Sequence, residues 1–391
     1  MVTGRTVAVR EGVRLVVVRR LLLLACAMVL VDTVFYAALT PLVPYFTEEL
    51  GLSKSIVGVL SGAFGAGVLI GSAPGGFLVA RLGARPSAVL GLAMISASSL
   101  LFGFAGEAWQ LVALRLLAGF GSALNWVSAF TWITACAPEE RRGEMIGTLI
   151  SGAVVGALLG PVLGAAAASF GVAPSFALVA ALALAVALWA ALTPAPGPSP
   201  SVPLHRVFGA SLRQPRLLAG LLFIGFAPLL FGALTTLAPL RLSALGWGAA
   251  AIGGAFLVAS LFEAFVHPLI GRWSDRVGYG PPLLAGILGS LAIVLALPFA
   301  PYAILVALLV VLAGVAFNIP LVPGTSLFTR GAEKAGIGSA PAFGATNFAW
   351  ASGYALGASV GGLLADLGGD VLSYLSLAAV CALALLLWRT L

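Results

Sequence analysis

The chain alternates long apolar runs with short charged turns, and that alternation leaves few folds open. A helix that crosses a membrane needs about 20 mostly apolar residues. Twelve such runs can be marked, at approximately 21–46, 55–79, 87–105, 109–134, 144–169, 172–192, 217–240, 249–270, 281–299, 302–328, 337–364 and 371–388. The thinnest separations are at Gly171 and at Ala300-Pro301. Of 391 residues, 61% are hydrophobic and 8% charged, whereas a soluble domain carries roughly a quarter charged residues. Such a chain cannot cover a water-facing surface. A soluble enzyme, a disulfide-stapled secreted domain and a disordered chain are therefore excluded. The expectation is an all-α polytopic membrane protein, multi-pass in the cell (plasma or inner) membrane, with the lipid bilayer as its principal surroundings.

Basic residues test the span map, because cytoplasmic loops carry an excess of Lys and Arg. With the N-terminus inside, the cytoplasmic set is Arg5, Arg10, Arg14, Arg19, Arg20, Arg81, Arg85, Arg141, Arg142, Arg206, Arg213, Arg216, Arg272, Arg276, Arg330, Lys334 and Arg389, 17 of the 20 basic residues. Only Lys54 and Arg241 fall outside, and Arg115 lies within the fourth span. Twelve spans with both termini cytoplasmic follow. The net charge of +7 is then a topology signal, and no nucleic-acid partner is expected. Residues 1–20, with five arginines and no small-residue cleavage site, read as a cytoplasmic basic segment against the inner leaflet. Cys26, Cys136 and Cys381 are too scattered for a disulfide framework or metal cluster and read as small buried hydrophobes.

The chain repeats itself at half its length. Gly76-Phe77-Leu78-Val79-Ala80-Arg81-Leu82-Gly83 follows the second span, and Gly271-Arg272-Trp273-Ser274-Asp275-Arg276-Val277-Gly278 follows the eighth, an offset of 271 − 76 = 195. The same offset pairs Leu50-Gly51 with Leu245-Gly246 and Val57-Gly58 with Ile252-Gly253. Gly156, Gly160 and Gly164 of the fifth span pair with Gly353, Gly357 and Gly361 of the eleventh at 197. Six spans per half is even, so both halves enter from the same side: a parallel repeat, whose substrate sites lie between the halves near the midplane. The expected organisation is a six-helix bundle over 21–192, a cytoplasmic linker over 193–216 opened by a Pro-rich stretch, and a second six-helix bundle over 217–391.

Three motifs give a resemblance. The second loop motif is well formed around Gly271, Asp275, Arg276 and Gly278, while the first keeps Arg81 and Gly83 but has Ala80 at the acidic position. The fourth span holds Arg115-Leu-Leu-Ala-Gly119-Phe-Gly121-Ser-Ala, and the fifth holds Gly152, Gly156, Gly160-Pro161 and Gly164. Over essentially its whole length the chain resembles a Major Facilitator Superfamily transporter, and more narrowly the 12-helix drug:proton antiporter branch. The resemblance implies two pseudo-symmetric bundles that rock about a central site, and an acidic residue on the first helix for proton coupling. Physically, Asp275 can receive a helix N-terminus or face the Glu139-Glu140-Arg141-Arg142 loop, Arg276 can pair across the halves, and such a latch is made in one conformation only. The fifth-span glycines share one helix face and favour close packing, and Pro161 bends the helix. Topology-setting charge and generic glycine packing are the plainer readings.

A charge inside the bilayer costs at least ~2.5–3.5 kcal/mol, so in-span titratable residues are functional hypotheses by default. Four exist: Asp32, Arg115, Glu263 and His267. Asp32 lies twelve residues after Arg20, about 18 Å deep. Desolvation penalises a lone carboxylate's charged form, which suits a proton carrier or a counter-charge for a cation. A structural salt bridge is the alternative. Arg115 lies roughly 9 Å from the outer boundary and Asp32 about 15 Å deeper by the same rise per residue, so Arg115 either tunes a nearby acid or braces a carbonyl. Glu263 and His267, four apart, share one helix face and can relay protons, or His267 can snorkel to the interface. Tyr36, Asn125, Trp126, Asn318, Asn347, Trp350 and Tyr354 are candidate cavity residues, though aromatics in spans are commonly packing filler.

No P-loop, metal-ligand cluster or nucleophile elbow is present, so ATP-driven pumping and hydrolysis have no supporting chemistry, and neither a cofactor nor a metal is expected. The leading expectation is a non-enzymatic secondary transporter, a proton-coupled antiporter that exports a small amphipathic compound and functions as a monomer. A proton symporter or facilitator importing a sugar or nucleoside, and a non-transporting membrane sensor, are the other readings.

Overall fold

In the computed structural model, residues 2–138, 141–195, 204–337 and 339–389 are described. The described chain is helical and without strands. The first half comprises α1 (Val2–Ala37), α2 (Val43–Leu50), α3 (Lys54–Leu82), α4 (Ala84–Phe102), α5 (Ala108–Cys136), α6 (Arg142–Phe170) and α7 (Val172–Leu192). A short α8 (Leu204–Arg213) opens the second, followed by α9 (Pro215–Ala244), α10 (Ala249–Val277), α11 (Gly280–Ala296), α12 (Ala303–Ala316), α13 (Leu321–Lys334) and α14 (Ser339–Trp388). Helix α14 is two arms, because Gly368 and Gly369 leave helical geometry. Eleven candidate membrane spans, one of them the two-armed α14, therefore make twelve crossings.

Proline breaks two of the expected spans internally. The first span is not one helix over 21–46: α1 ends at Ala37, and a 3-10 turn over Thr40–Leu42 leads into α2. Pro41 and Pro44 supply no N–H there, so an unbroken ladder is impossible. The tenth span is likewise broken between Ala316 and Leu321, at Asn318-Ile319-Pro320. The backbone of residues 2–20 is helical and continuous with the first span. The linker over 193–216 contains α8, which lays Val207 and Ser211 inward, with Val207 packed among Leu217, Ile224, Phe328 and Ala345 of the second half.

The repeat is visible in the backbone. Gly51 and Gly246 both carry positive φ, as do Gly83 and Gly278, each pair 195 apart, and Gly171 and Gly369 form a third pair 198 apart. Gly83 and Gly278 each end a helix in that conformation, which costs a side-chain-bearing residue more than glycine. Packing repeats as well. The faces of Gly152, Gly156, Gly160 and Gly164 on α6 lie against Cys26, Leu30 and Ala37 of α1 and Ala38 just beyond its end. Gly353, Gly357 and Gly361 on α14 lie in the same way against Gly225, Leu229 and Ala233 of α9. Lipid offers no hydrophobic drive between helices, so close backbone approach through small residues is what holds such pairs.

The halves meet most closely on the side opposite the N-terminus. Gly58, Gly62 and Gly65 of α3 face Ala358, Ala355 and Ala351 of the first arm of α14, and Gly253 of α10 faces Pro161 and Ala165 of α6. At the outer end of that seam the Asp366 carboxylate accepts the backbone N–H groups of Lys54 (3.0 Å) and Ser55 (2.8 Å), the opening donors of α3. The Lys54 ammonium pairs with Asp370 at 2.6 Å. Desolvation works to raise the Asp366 carboxyl, but the Ser55 side chain and amide, with Ser53 and the Lys54 amide, outweigh it and hold the group below the ordinary carboxylate range. On the N-terminal side, Phe343 of α14 stacks on Phe130 (4.2 Å, 11°) and Trp126 (5.9 Å, 26°) of α5.

Candidate functional site

Helix α5 is started by a capping box: Glu107 accepts from the third helical N–H and Gln110 accepts from the Glu107 backbone. Arg115, Gly119 and Ser122 then follow at spacings of four and three, along one face. A Cβ on Gly119 would collide with the Phe64 backbone, and one on Gly67 with that of Leu116. Helices α3 and α5 therefore touch at their backbones, and the Arg115 guanidinium comes to rest 5.1 Å from the Phe64 ring and 5.5 Å from the Phe35 ring. It donates to the Phe35 and Tyr36 carbonyls, both at 3.3 Å. These belong to the last turn of α1, whose carbonyls lack intrahelical partners and whose dipole favours a cation. Arg115 thus acts as a C-terminal cap for α1.

Asp32 lies one turn earlier on α1 and is 1% exposed. It accepts from Ser122 Oγ at 2.8 Å, the Trp126 side chain also approaches it, and its Oδ1 has no hydrogen-bond partner among the described residues. Arg115 does not pair with it. The depth gap expected between them was too large: Arg115 reaches carbonyls one turn from Asp32 yet spends its donors there. Asp32 is a carboxylate deep in the bundle with neutral partners. Ser122, its main partner, sits in the quoted Gly121-Ser122 run but carries no charge to mark it.

In the second half, Glu263 and His267 lie on α10 with Nε2 3.8 Å from Oε1, an ion pair only when the imidazole is protonated. Each side chain keeps 31% of its surface accessible although both sit deep among neighbouring atoms. Glu263 is within electrostatic range of Tyr36, across the interface between the halves. Tyr36 is the centre of an aromatic cluster, with ring centroids 5.1 Å from Phe64, 5.6 Å from Trp350 and 5.2 Å from Tyr354. Trp350 and Tyr354, one turn apart on α14, are parallel at 1°. Thr235 of α9 lies 3.3 Å from the Tyr354 hydroxyl.

The structure brings Tyr36, Trp350 and Tyr354 together and sets Trp126 against Phe343. It places the other candidates differently. Asn125 is buried and donates to Met28 O (3.0 Å) within the first bundle, and Asn318 donates to Gly314 O (2.9 Å) beside the break between α12 and α13. Asn347, one turn before Trp350, has a buried Nδ2 with no partner among the described residues. In the loop motifs, Asp275, Arg276 and Arg81 are exposed, and none makes an ion pair among the described residues. Glu139 and Glu140, expected opposite Asp275, lie outside the described residues. Arg141 grips Glu144 with two bonds of 2.9 and 2.8 Å. Thr235, Phe64, Phe343 and the Lys54–Asp366–Asp370 cluster were not singled out from sequence. Only Lys54, one of two basic residues on its side, carried a signal.

A family model for the Major Facilitator Superfamily matches residues 24–353. The chain belongs to the Major Facilitator Superfamily. It is thus a transporter rather than an enzyme, and an integral multi-pass membrane protein. Transporters of this superfamily bind small-molecule substrates. An MFS-type transporter of Salmonella typhi, YcaD, is 28% identical over 128 residues, 33% of this chain and 33% of that one, so the match spans about a third of that relative's length. Among solved structures, the D-xylose-proton symporter is similar with a TM-score of 0.74 at 18% identity, covering 95% of this chain and 97% of that one. A bacterial homolog of the human lysosomal transporter Spinster, inward-facing and unoccupied, has a TM-score of 0.73 at 18% identity over 96% of both chains. The nucleoside transporter NupG has 0.70 at 12% identity, over 95% of this chain and 98% of that one. These three similarities establish the superfamily fold, and no substrate follows from them.

Proposed function

We propose that this MFS transporter is a proton-coupled antiporter that exports a small amphipathic compound, with cations favoured. The observation that carries the reading is a pair of membrane-embedded carboxyls, Asp32 and Glu263, that no Lys or Arg neutralises among the described residues. They flank a cluster of Tyr36, Phe64, Trp350 and Tyr354. An aromatic cluster with adjacent carboxyls attracts organic cations. A carboxyl left unpaired in lipid is stabilised either by a proton or by a cationic substrate. Competition between those two occupants is antiport.

With the N-terminal side taken as cytoplasmic, the glycine seam between α3 and α14 closes the outer side. Substrate then enters from the cytoplasm past Phe343, settles against Tyr36 and Trp350, and leaves outward once a proton takes its place on Asp32. Asn347 supplies a free amide at the cluster. His267 hands protons to or from Glu263, and the chain acts as a monomer because both halves of the path are in it.

Proteoliposomes with an imposed pH gradient test this. Antiport predicts that an acidic lumen drives accumulation of lipophilic organic cations and that Asp32→Asn abolishes it. Gradient-independent equilibration of a sugar or nucleoside overturns antiport in favour of a facilitator, and accumulation down the proton gradient favours a symporter.

A further inference from the structure

On the N-terminal side, outside the path described above, the starts of α9 and α11, the middle of α13 and the end of α14 enclose a cleft of about 440 Å³. That volume is within the range of pockets that hold small molecules. We propose that this cleft binds the phosphate of an anionic phospholipid in the adjacent leaflet, with Arg216 and Arg330 as its charge partners.

Three observations converge. First, Arg216 lines the cleft and Arg330 lies 5.6 Å over the ring of Tyr279, which also lines it. Neither arginine has a carboxylate within ion-pair distance among the described residues. An arginine fork matches phosphate geometry and is weakly hydrated, so it suits this boundary. Second, the Tyr279 hydroxyl is shielded from water and has no hydrogen-bond partner among the described residues. A phosphate oxygen accepts from it only once the side chains that cover it, Arg330 over the ring among them, move aside. Third, the remaining lining includes Leu283 and Leu327, apolar residues of two spans, with Leu283 itself buried. The Trp388 indole closes the end by donating to Gly280 O at 3.0 Å. A charged mouth that continues into an apolar wall fits a headgroup with its acyl chain, and basic pockets between helix ends hold such headgroups.

The repeat supplies an internal comparison. A groove of the first half, lined by Arg85, Pro86, Val89, Leu90, Ala93 and Ala191, shares with it the positions of Gly280 and Trp388. There the Tyr279 position is Ala84 (279 − 195 = 84) and the Trp388 position is Ala191 (388 − 197 = 191). With one arginine and neither aromatic, the first groove lacks what makes the second a site.

The test uses the full-length protein, delipidated in neutral detergent. Native mass spectrometry and thermal unfolding are read with cardiolipin, phosphatidylglycerol, phosphatidylcholine or inorganic phosphate added. Anionic lipid is expected to give retained adducts and a raised Tm, phosphatidylcholine neither. In the Arg216→Gln/Arg330→Gln double variant the affinity falls about 25-fold, from roughly fivefold per arginine. Tyr279→Phe weakens binding while keeping the ring. Arg206→Gln removes the same charge from α8, away from the cleft, and leaves binding unchanged. If inorganic phosphate displaces the lipid or matches its effect, the site takes free phosphate and the lipid assignment is wrong. If the double variant stays monodisperse and binds anionic lipid like the wild type, the cleft is not the site.

Discussion

The seam between α3 and α14 makes a direct test of alternating access. A methyl added at Gly58 would lie 2.5 Å from Ala358 O and 3.0 Å from the Gly362 Cα. One at Gly62 would lie 2.5 Å from Ser359 Oγ and 2.9 Å from Ala355 O. Heavy atoms pack best at about 3.5–4.0 Å, so the two helices must part by about 1 Å. Overpacking costs roughly 1–3 kcal/mol per site. The Gly58 site is at the upper end, since it meets rigid backbone, and the Gly62 site is lower because a serine side chain can turn. The Gly58→Ala/Gly62→Ala variant is thus penalised by about 2–6 kcal/mol, but only while the seam is closed. Even 2 kcal/mol changes a conformational equilibrium about 30-fold. The assay places a cysteine at Thr235, beside Tyr354, in a background with Cys26, Cys136 and Cys381 replaced. A membrane-impermeant maleimide is then applied from the side opposite the N-terminus. Labelling is expected to accelerate at least about tenfold. An unchanged rate in a correctly folded variant would falsify the idea that this seam is the closed gate.

Other expectations follow from single residues. Arg115→Lys leaves one ammonium to serve two carbonyls and two rings, and lowers stability by about 1.5–3 kcal/mol, read as a drop in Tm. Asp366→Ala removes the acceptor for the Lys54 and Ser55 amides and destabilises the closed seam by about 0.5–2 kcal/mol. Because the Asp366 carboxyl is held below its ordinary value, its contribution is complete above about pH 4 and fades as the pH falls through the folded-state value. Wild type and Asp366→Ala should therefore converge in stability only in strong acid. Lys54→Ala, which breaks a partly exposed pair, costs no more than about 1 kcal/mol and less at high salt. Glu263→Gln is expected to slow proton-driven exchange in proteoliposomes while leaving substrate-for-substrate exchange intact, and loss of both would assign it to substrate binding instead.

The span map, the repeat and the four in-span titratable residues were legible because each depends on composition or spacing along one chain. Broken helices were less so. Pro41 and Pro320 punctuate spans that hydropathy alone reads as continuous. Partners across helices were hidden for a different reason. For Arg115 the sequence leaves two readings, tuning an acid or bracing a carbonyl, and the Phe35 and Tyr36 carbonyls it reaches are hidden because a backbone acceptor leaves no mark in sequence. Asn125 and Asn318 look like cavity residues when polarity is the only guide, yet each supports a helix carbonyl. Asp366 reads as a solvent-side acid until α3 and α14, over 300 positions apart, are laid side by side.

The paired glycines at the turns have a further consequence. Positions that shape the backbone match between the halves, but the charged positions inside the spans do not. Adding 195 takes Asp32 to Ala227 and Arg115 to Val310, and subtracting it takes Glu263 to Val68. A duplicated ancestor would have begun with the same chemistry on both sides. This chain has kept the inherited architecture twice and divided the labour once, so neither half can be expected to transport alone, and two copies of either half would make a symmetric shell without a working centre.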